Sequence, residues 1–226
     1  MKIGIVGITG RIGKILVDLI SGDPELTLSG GVSSKNNRAD FENLAENSDV
    51  LVDFSSPAAA IIAAEVAKSF KIPFVCGTSA LPEDFFQKIK EFSLIIPVLH
   101  ASNFSVGAQL MAMLLKKCGK ILDHYDVSIM DKHHKHKKDT PSGTALFLSK
   151  QFEKQPQIVS IRAGNVFGEH VCDFIGEDDM LSISHLSFNR SMFAKGALMC
   201  TKWIAGKSPG MYSMMDCLNM KNCDDL

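Results

Sequence analysis

An excess of charge of either sign is absent from this chain: among 226 residues, 24 Lys and Arg face 25 Asp and Glu, for a formal net charge of −1. A general nucleic-acid binder carries a strong basic surplus, so that class is excluded. Also missing is any apolar run near the ~18 residues that a membrane span requires. The first twenty residues could imitate an export signal, but Arg11 and Lys14 break the stretch and its glycines have a better use. No Cys-x-x-Cys pair occurs among the six cysteines, Cys76, Cys118, Cys172, Cys200, Cys217 and Cys223. They are expected to be reduced thiols, packed as small hydrophobes, in a cytoplasmic protein. Tyrosine is scarce, and neither Tyr125 nor Tyr212 has a lysine four positions on, which leaves out the Tyr-x-x-x-Lys pair of short-chain reductases. There is no internal repeat and no low-complexity linker. What remains is 46% hydrophobic and 22% charged, a composition that folds, with length for one large or two small domains.

The first hundred residues alternate between two periods. Apolar, β-branched runs at 2–6, 26–32, 50–54, 73–76 and 94–99 predict strands, and helical patterns at 11–21, 57–69 and 82–92 lie between most of them. Such alternation predicts a parallel sheet covered on both faces. Residues 33–47 leave room for a turn or one weak helix. From residue 105 the pattern changes. A long helix (105–120) precedes a strand (125–130), and then comes the most polar stretch of the chain, 131–139. A helix at 142–152 follows Pro141, then strands at 158–163, 169–175 and 180–188 and a helix at 190–205. Strands without intervening helices predict a second, mixed or antiparallel sheet. The tail, 221–226, is expected to fray.

Gly7-Ile-Thr-Gly10-Arg11-Ile-Gly13 follows the first strand and opens a helix, the context in which a glycine pattern becomes a nucleotide site. One glycine makes the turn, one admits a pyrophosphate, and Gly13 lets helix pack on strand, with the helix N-terminus facing the phosphate. After the second strand no acid appears until Asp40. Ser33 or Ser34 could bond a 2′-phosphate and Lys35 or Arg38 could neutralise it, which leans to NADP; solvated loop charges are the alternative for the two cations.

Between residues 133 and 144 the chain reads His-His-Lys-His-Lys-Lys-Asp-Thr-Pro-Ser-Gly-Thr. A metal reading is poor, because lysines flank the histidines and no carboxylate or Cys at a recurring spacing completes a ligand set. A Lys/His loop feeding a helix start at Ser142-Gly143-Thr144 suits instead a small polycarboxylate and supplies a general acid.

The stretch Asp131-Lys-His133-His134-Lys-His-Lys137-Lys-Asp139-Thr140-Pro-Ser142-Gly143-Thr144-Ala145 resembles the signature of the 4-hydroxy-tetrahydrodipicolinate reductase (dihydrodipicolinate reductase) family, with Asp131 for the usual Glu and Thr140 for the usual Ala. The resemblance extends to the Gly7 turn, Val52-Asp-Phe-Ser-Ser-Pro57, Gly77-Thr-Ser79, Ala101-Ser-Asn-Phe-Ser-Val-Gly107, Arg162-Ala-Gly164, Gly168-Glu-His170 and Phe193-Ala-Lys-Gly196. This chain is shorter than typical members, as if trimmed after the second strand and after the Ser142 helix.

The resemblance implies an α/β protein: a Rossmann-like parallel-sheet nucleotide domain (1–103 plus 195–226) and an α+β mixed-sheet domain for substrate binding and tetramerisation (104–194). It implies NAD(P)H-dependent reduction of 4-hydroxy-tetrahydrodipicolinate on the diaminopimelate route to lysine. Gly7, Ile8, Thr9, Gly10, Arg11 and Ile12 would hold the pyrophosphate end, and Ser33 and Ser34 the adenosine ribose. Gly77, Thr78, Ser79, Ala101, Ser102, Asn103 and Phe104 would flank the nicotinamide. His133 would be the proton donor/acceptor and Lys137 the proton donor, with His134, Gly143 and Thr144 on the substrate carboxylates. NADPH, mildly preferred, or NADH is the expected cofactor, a small dicarboxylate the substrate, and a homotetramer the assembly, with hinges near Asn103 and near 190–196. No metal, nucleic acid or membrane is expected. A nucleotide-binding redox sensor that uses the basic loop for a partner is the non-enzymatic alternative.

Overall fold

The computed structural model describes residues 1–220, which form two compact units. Met1–Phe104, with the described chain from Phe193 onward, makes the first; Ser105–Met192 makes the second. The reading of the tail 221–226 and of Cys223 lies outside the described residues. Among those residues no helix is long and apolar enough to cross a membrane.

In the first unit, strands β1 (Lys2–Val6), β2 (Thr27–Val32), β3 (Val50–Asp53), β4 (Phe74–Cys76), β5 (Pro97–His100) and β10 (Gly210–Tyr212) form a parallel sheet in the order β10-β5-β4-β3-β1-β2. Strands β1, β3 and β4 are buried over nearly their whole length because both faces are covered, which is why their sequences are apolar without alternation. On one face α2 (Arg38–Glu46), α3 (Pro57–Phe70) and α4 (Glu83–Phe92) pack around Phe41, Phe74 and Phe85. On the other, α1 (Arg11–Ser21), α7 (Ser191–Ile204) and the short α8 (Met214–Cys217) pack on Ile3, Ile5, Val52 and Leu99. Each fully buried side chain of this size contributes about 1.5–3 kcal/mol.

Two elements of this unit differ from the sequence expectation. The apolar run at 94–99 is strand only from Pro97. Ile95 and Ile96 donate their N–H groups back to Phe92 and close α4, leaving Leu94 80% exposed. The weak helix after β2 is a nine-residue helix, because Asn37 and Asp40 form a reciprocal capping box.

The second unit holds a four-stranded sheet, β7-β6-β8-β9, from β6 (Asp126–His133), β7 (Gln157–Arg162), β8 (Gly168–Ile175) and β9 (Met180–Ser187). Central β6 pairs parallel with β7 and antiparallel with β8, and β8 pairs antiparallel with β9. Strand β6 runs three residues past the expected end, through polar Asp131-Lys-His133, since ladder bonds on both sides outweigh low strand propensity. On the inner face Ile129, Ile158, Cys172, Phe174 and Ile183 pack under α5 (Val106–Ile121) and α6 (Gly143–Ser149). Two helices thus contribute to this core. The outer face leaves Val159, Ile161, Ile175, Met180 and Leu186 exposed.

Candidate active site

Strand register assembles the polar end of the second unit. Side chains alternate along a strand, so Asp131 and His133 share the inner face of β6 with Ile129. Pairing sets Ser160 and Arg162 of β7 beside them, Asp131 opposite Ser160 and His133 opposite Arg162. On the other side Asp131 faces His170, which in turn faces His185. The inner face is therefore divided along its length: apolar beneath the helices, then ionisable toward the end of β6.

Asp131 is the centre of that end and is fully buried. Its Oδ2 accepts from the Ser142 backbone N–H at 2.9 Å, from Arg162 Nη2 at 2.9 Å and from Ser160 Oγ at 3.1 Å. Its Oδ1 lies 2.8 Å from His133 Nδ1 and 3.5 Å from His170 Nε2. Burial alone would raise the carboxyl pKa, but hydrogen bonds from His170, Arg162 and Ser142 hold it well below the usual range. His133 is pushed down to about 4, first by burial and then by the charges of His170, Lys137 and Arg162, against the pull of Asp131. Its ring is neutral at pH 7.

The loop after β6 turns at His134, whose carbonyl accepts the Lys137 N–H at 3.1 Å. Lys137 Nζ sits 2.8 Å from Asp139 Oδ1 and stays partly exposed. Ser142 is the cap of α6: its hydroxyl accepts from Ala145 N–H at 3.1 Å and lies 3.1 Å from His170 Nε2. That hydroxyl is committed to the helix start and to His170. Gly143 has open space where a Cβ would stand, and Thr144 follows in the first turn.

In the sequence no carboxylate at a recurring spacing completes a metal-ligand set with the histidines. Asp131 does so in space: ligand atoms of Asp131, His133 and His170 lie within 4.8 Å of one another. The same carboxylate, however, already holds the Arg162 guanidinium, and a cation would meet that charge. Asp131, Ser160, Arg162 and His170 are the members of this cluster that sequence reasoning did not name as site residues. The signal was available in part, since Asp131 stands two positions before His133, but the strand pairing that brings the others in is not local.

In the first unit the expected cofactor positions follow strand ends along one edge of the sheet. Gly7–Ile12 come after β1, Ser33 and Ser34 after β2, Gly77–Ser79 after β4, and Ala101–Phe104 after β5. Carboxyl ends of parallel strands, where the order reverses between β1 and β3, are where such sheets bind nucleotides. The glycine turn has the shape of a phosphate cradle. Gly7 has φ +88°, and a Cβ on Gly13 would come within 2.2 Å of the Gly7 carbonyl oxygen. Gly10 caps α1 without a side-chain bond, and the first turn carries no acid. These residues fit a nicotinamide dinucleotide.

Two of the side chains near this edge have partners within the unit. Arg38 is paired with Glu42 at 3.2 Å and Glu65 at 2.9 Å, so of the two proposed cations Lys35 is the uncommitted one. The Phe104 side chain belongs to the core, edge-on to Phe54 at 5.3 Å. Beneath the same edge, buried Asp53 accepts from Ser55 Oγ and from Cys76 Sγ at 3.3 Å, while Ser55 N–H donates to Thr78 Oγ1 at 2.8 Å. The contacts tie the β3 and β4 ends together. Burial pushes the Asp53 carboxyl up to about 6, partly offset by hydrogen bonds from Ser55, Thr78 and Cys76.

A parallel sheet with a phosphate-type glycine turn, joined to a mixed sheet that carries an acid–base cluster, places the chain among the NAD(P)-dependent oxidoreductases of Rossmann type. Residues 1–104 match the dihydrodipicolinate reductase N-terminal family and residues 107–218 its C-terminal family. A 4-hydroxy-tetrahydrodipicolinate reductase of Rickettsia rickettsii (strain Sheila Smith) is 34% identical over 96% of this chain and 98% of its own. One from Zymomonas mobilis subsp. mobilis is 36% identical over 97% and 98%. A dipicolinate-bound dihydrodipicolinate reductase from Paenisporosarcina sp. TG-14 shares the fold with a TM-score of 0.83, at 18% identity over 96% of this chain and 98% of that one. The chain belongs to the dihydrodipicolinate reductase family.

Proposed function

We propose that this chain reduces 4-hydroxy-tetrahydrodipicolinate to tetrahydrodipicolinate, with release of water and oxidation of NAD(P)H, on the diaminopimelate route to lysine. The observation that carries the reading is that both halves of the chain match this one family. The nicotinamide supplies the hydride; the protein orients, excludes water and moves protons. Gly7–Ile12 hold the pyrophosphate on the N-terminus of α1. Gly77–Ser79 and Ala101–Phe104 border the nicotinamide.

In the second unit, positive charge from Lys137 and the first turn of α6 binds the dianionic substrate, with His134, Gly143 and Thr144 on its carboxylates. Hydride delivery to a conjugated imine carbon builds electron density that must be protonated. Lys137 gives that proton, and His133 acts as the donor/acceptor beside it. NADPH is mildly preferred, since exposed Lys35 can meet a 2′-phosphate. The outer face of the mixed sheet, with its exposed apolar side chains, forms an interface between copies in a homotetramer.

The test follows NADPH absorbance with enzymatically generated substrate. Substrate-dependent oxidation is expected. NADPH binding without turnover would reject the reading in favour of a sensor.

A further inference from the structure

The two oxygens of Asp131 are used differently. Oδ2 receives three donors, the Ser142 N–H, Arg162 and Ser160. Oδ1 receives none of these and faces two imidazoles, with His133 Nδ1 at 2.8 Å nearest. Both Oδ1 and His133 Nδ1 are buried, and their 2.8 Å approach is a close contact without the alignment of a hydrogen bond, each atom having no other aligned partner. A carboxylate oxygen can only accept, so at this distance a proton on Nδ1 is favoured by the neighbouring negative charge and needs only a small ring rotation to bond it; a bare Nδ1 would bring its lone pair up to that charge.

The other ring nitrogen, Nε2, lies toward Gly168, where a Cβ would come within 3.0 Å of it. Glycine at that position keeps the space at Nε2 free.

We infer that Asp131 is a positioning residue for His133: its Oδ1 holds the proton on Nδ1, so that Nε2, over Gly168, is the nitrogen that takes and returns protons. The inference rests on the proposed reductase reading for the meaning of that proton transfer, but the arrangement itself can be tested without turnover. Arg162, Ser142 and Ser160 keep the carboxylate charged and oriented. The groups facing the imidazole are Asp131 and His170, with the charges of Lys137 and Arg162 also acting on it. Burial first, and then the charges of His170 and the two cations, oppose a second proton on the ring, which agrees with its lowered affinity for one.

The decisive measurement is the tautomer of His133, read from the ring ¹⁵N signals of full-length protein labelled at histidine, near pH 7.5. The Nδ1–H form is expected in the wild type, and an increased share of Nε2–H in Asp131→Asn, whose amide can donate toward Nδ1. An Nε2–H wild type, or a tautomer unchanged by the substitution, would overturn the inference. In kinetics, Asp131→Asn is expected to lower kcat on the order of 10²-fold with the KM for NADPH within about twofold, and Asp131→Glu to recover part of the loss. Should Asp131→Asn not fold, Gly168→Ala decides. It leaves the carboxylate network in place and crowds Nε2, so kcat/KM for the substrate should drop about tenfold or more while the wild-type tautomer persists. Wild-type kinetics in that variant would remove Nε2 from the reaction. A wild type with the Nδ1–H tautomer but no turnover would instead reject the reductase reading and leave the positioning intact.

Discussion

Lys137 and His133 are separated in sequence by three residues and differ in chemical setting. The ammonium is partly exposed and paired with Asp139, whereas the imidazole is buried against Asp131. Lys137→Ala should reduce turnover by ~10²–10⁴-fold, the range for loss of a positioned acid, with the fold intact by circular dichroism. His133 also links pH to stability. Its folded pKa of about 4 lies below the ordinary 6.5, so between these values the unfolded chain binds more protons. Its contribution is present above about pH 6.5 and is lost as pH falls toward 4. Denaturant unfolding of the wild type and of His133→Gln should show the wild type losing more stability across that window. At this scale the residues proposed to react could be picked out in the His133–Thr144 block, because their spacing in the chain is short. Arg162 and His170 carried no local signal of belonging with Asp131.

Strand ends and helix starts carry the next set of expectations. Gly13→Ala puts a Cβ within 2.2 Å of the Gly7 carbonyl oxygen, a backbone atom that cannot swing aside. Weakening of NADPH binding by tenfold or more in isothermal titration is the expected result, and unchanged affinity would show that the turn does not hold phosphate. Asp53 ties β3 to β4 with a folded pKa of about 6, above its ordinary 3.8. The folded state therefore binds more protons between those values, and this group's contribution falls as pH rises from about 4 to 6. Asp53→Asn should gain stability relative to the wild type over that rise, by up to about 3 kcal/mol, measured by urea unfolding at pH 4 and pH 7. The trend opposes that of His133, and the two single variants separate them. Most elements of both sheets were readable from periodicity. The exceptions are instructive: β10 and α8 span three and four residues, too few for any period, and exist where the chain meets the sheet edge beside β5.

On the scale of the whole molecule, the outer face of the mixed sheet sets the expectation. Val159, Ile161, Ile175, Met180 and Leu186 leave apolar side chains without a cover on one face of the sheet in the single chain. Light scattering at working concentration should give the mass of four chains, and Ile161→Lys, which adds a charge to that face, should shift the mass downward. A monomeric mass for the wild type would reject the assembly.

The sequence alone determined what depends on near neighbours. Apolar periods set the helices and most strands, glycine spacing set the turn after β1, and Ser142 set the start of α6, since each is a contest between residues a few positions apart. It also carried the family, through motifs that are themselves local. Only the tertiary structure decided which polar groups share a charge. Arg38 stands among the cations that follow β2, but Glu65, 27 residues on, holds it. Asp131 was one acid in a polar run until strand pairing set Ser160, Arg162 and His170 around it. Register is fixed by hydrogen bonds between strands distant in the chain, and burial then makes every charge so gathered count, because water no longer screens it.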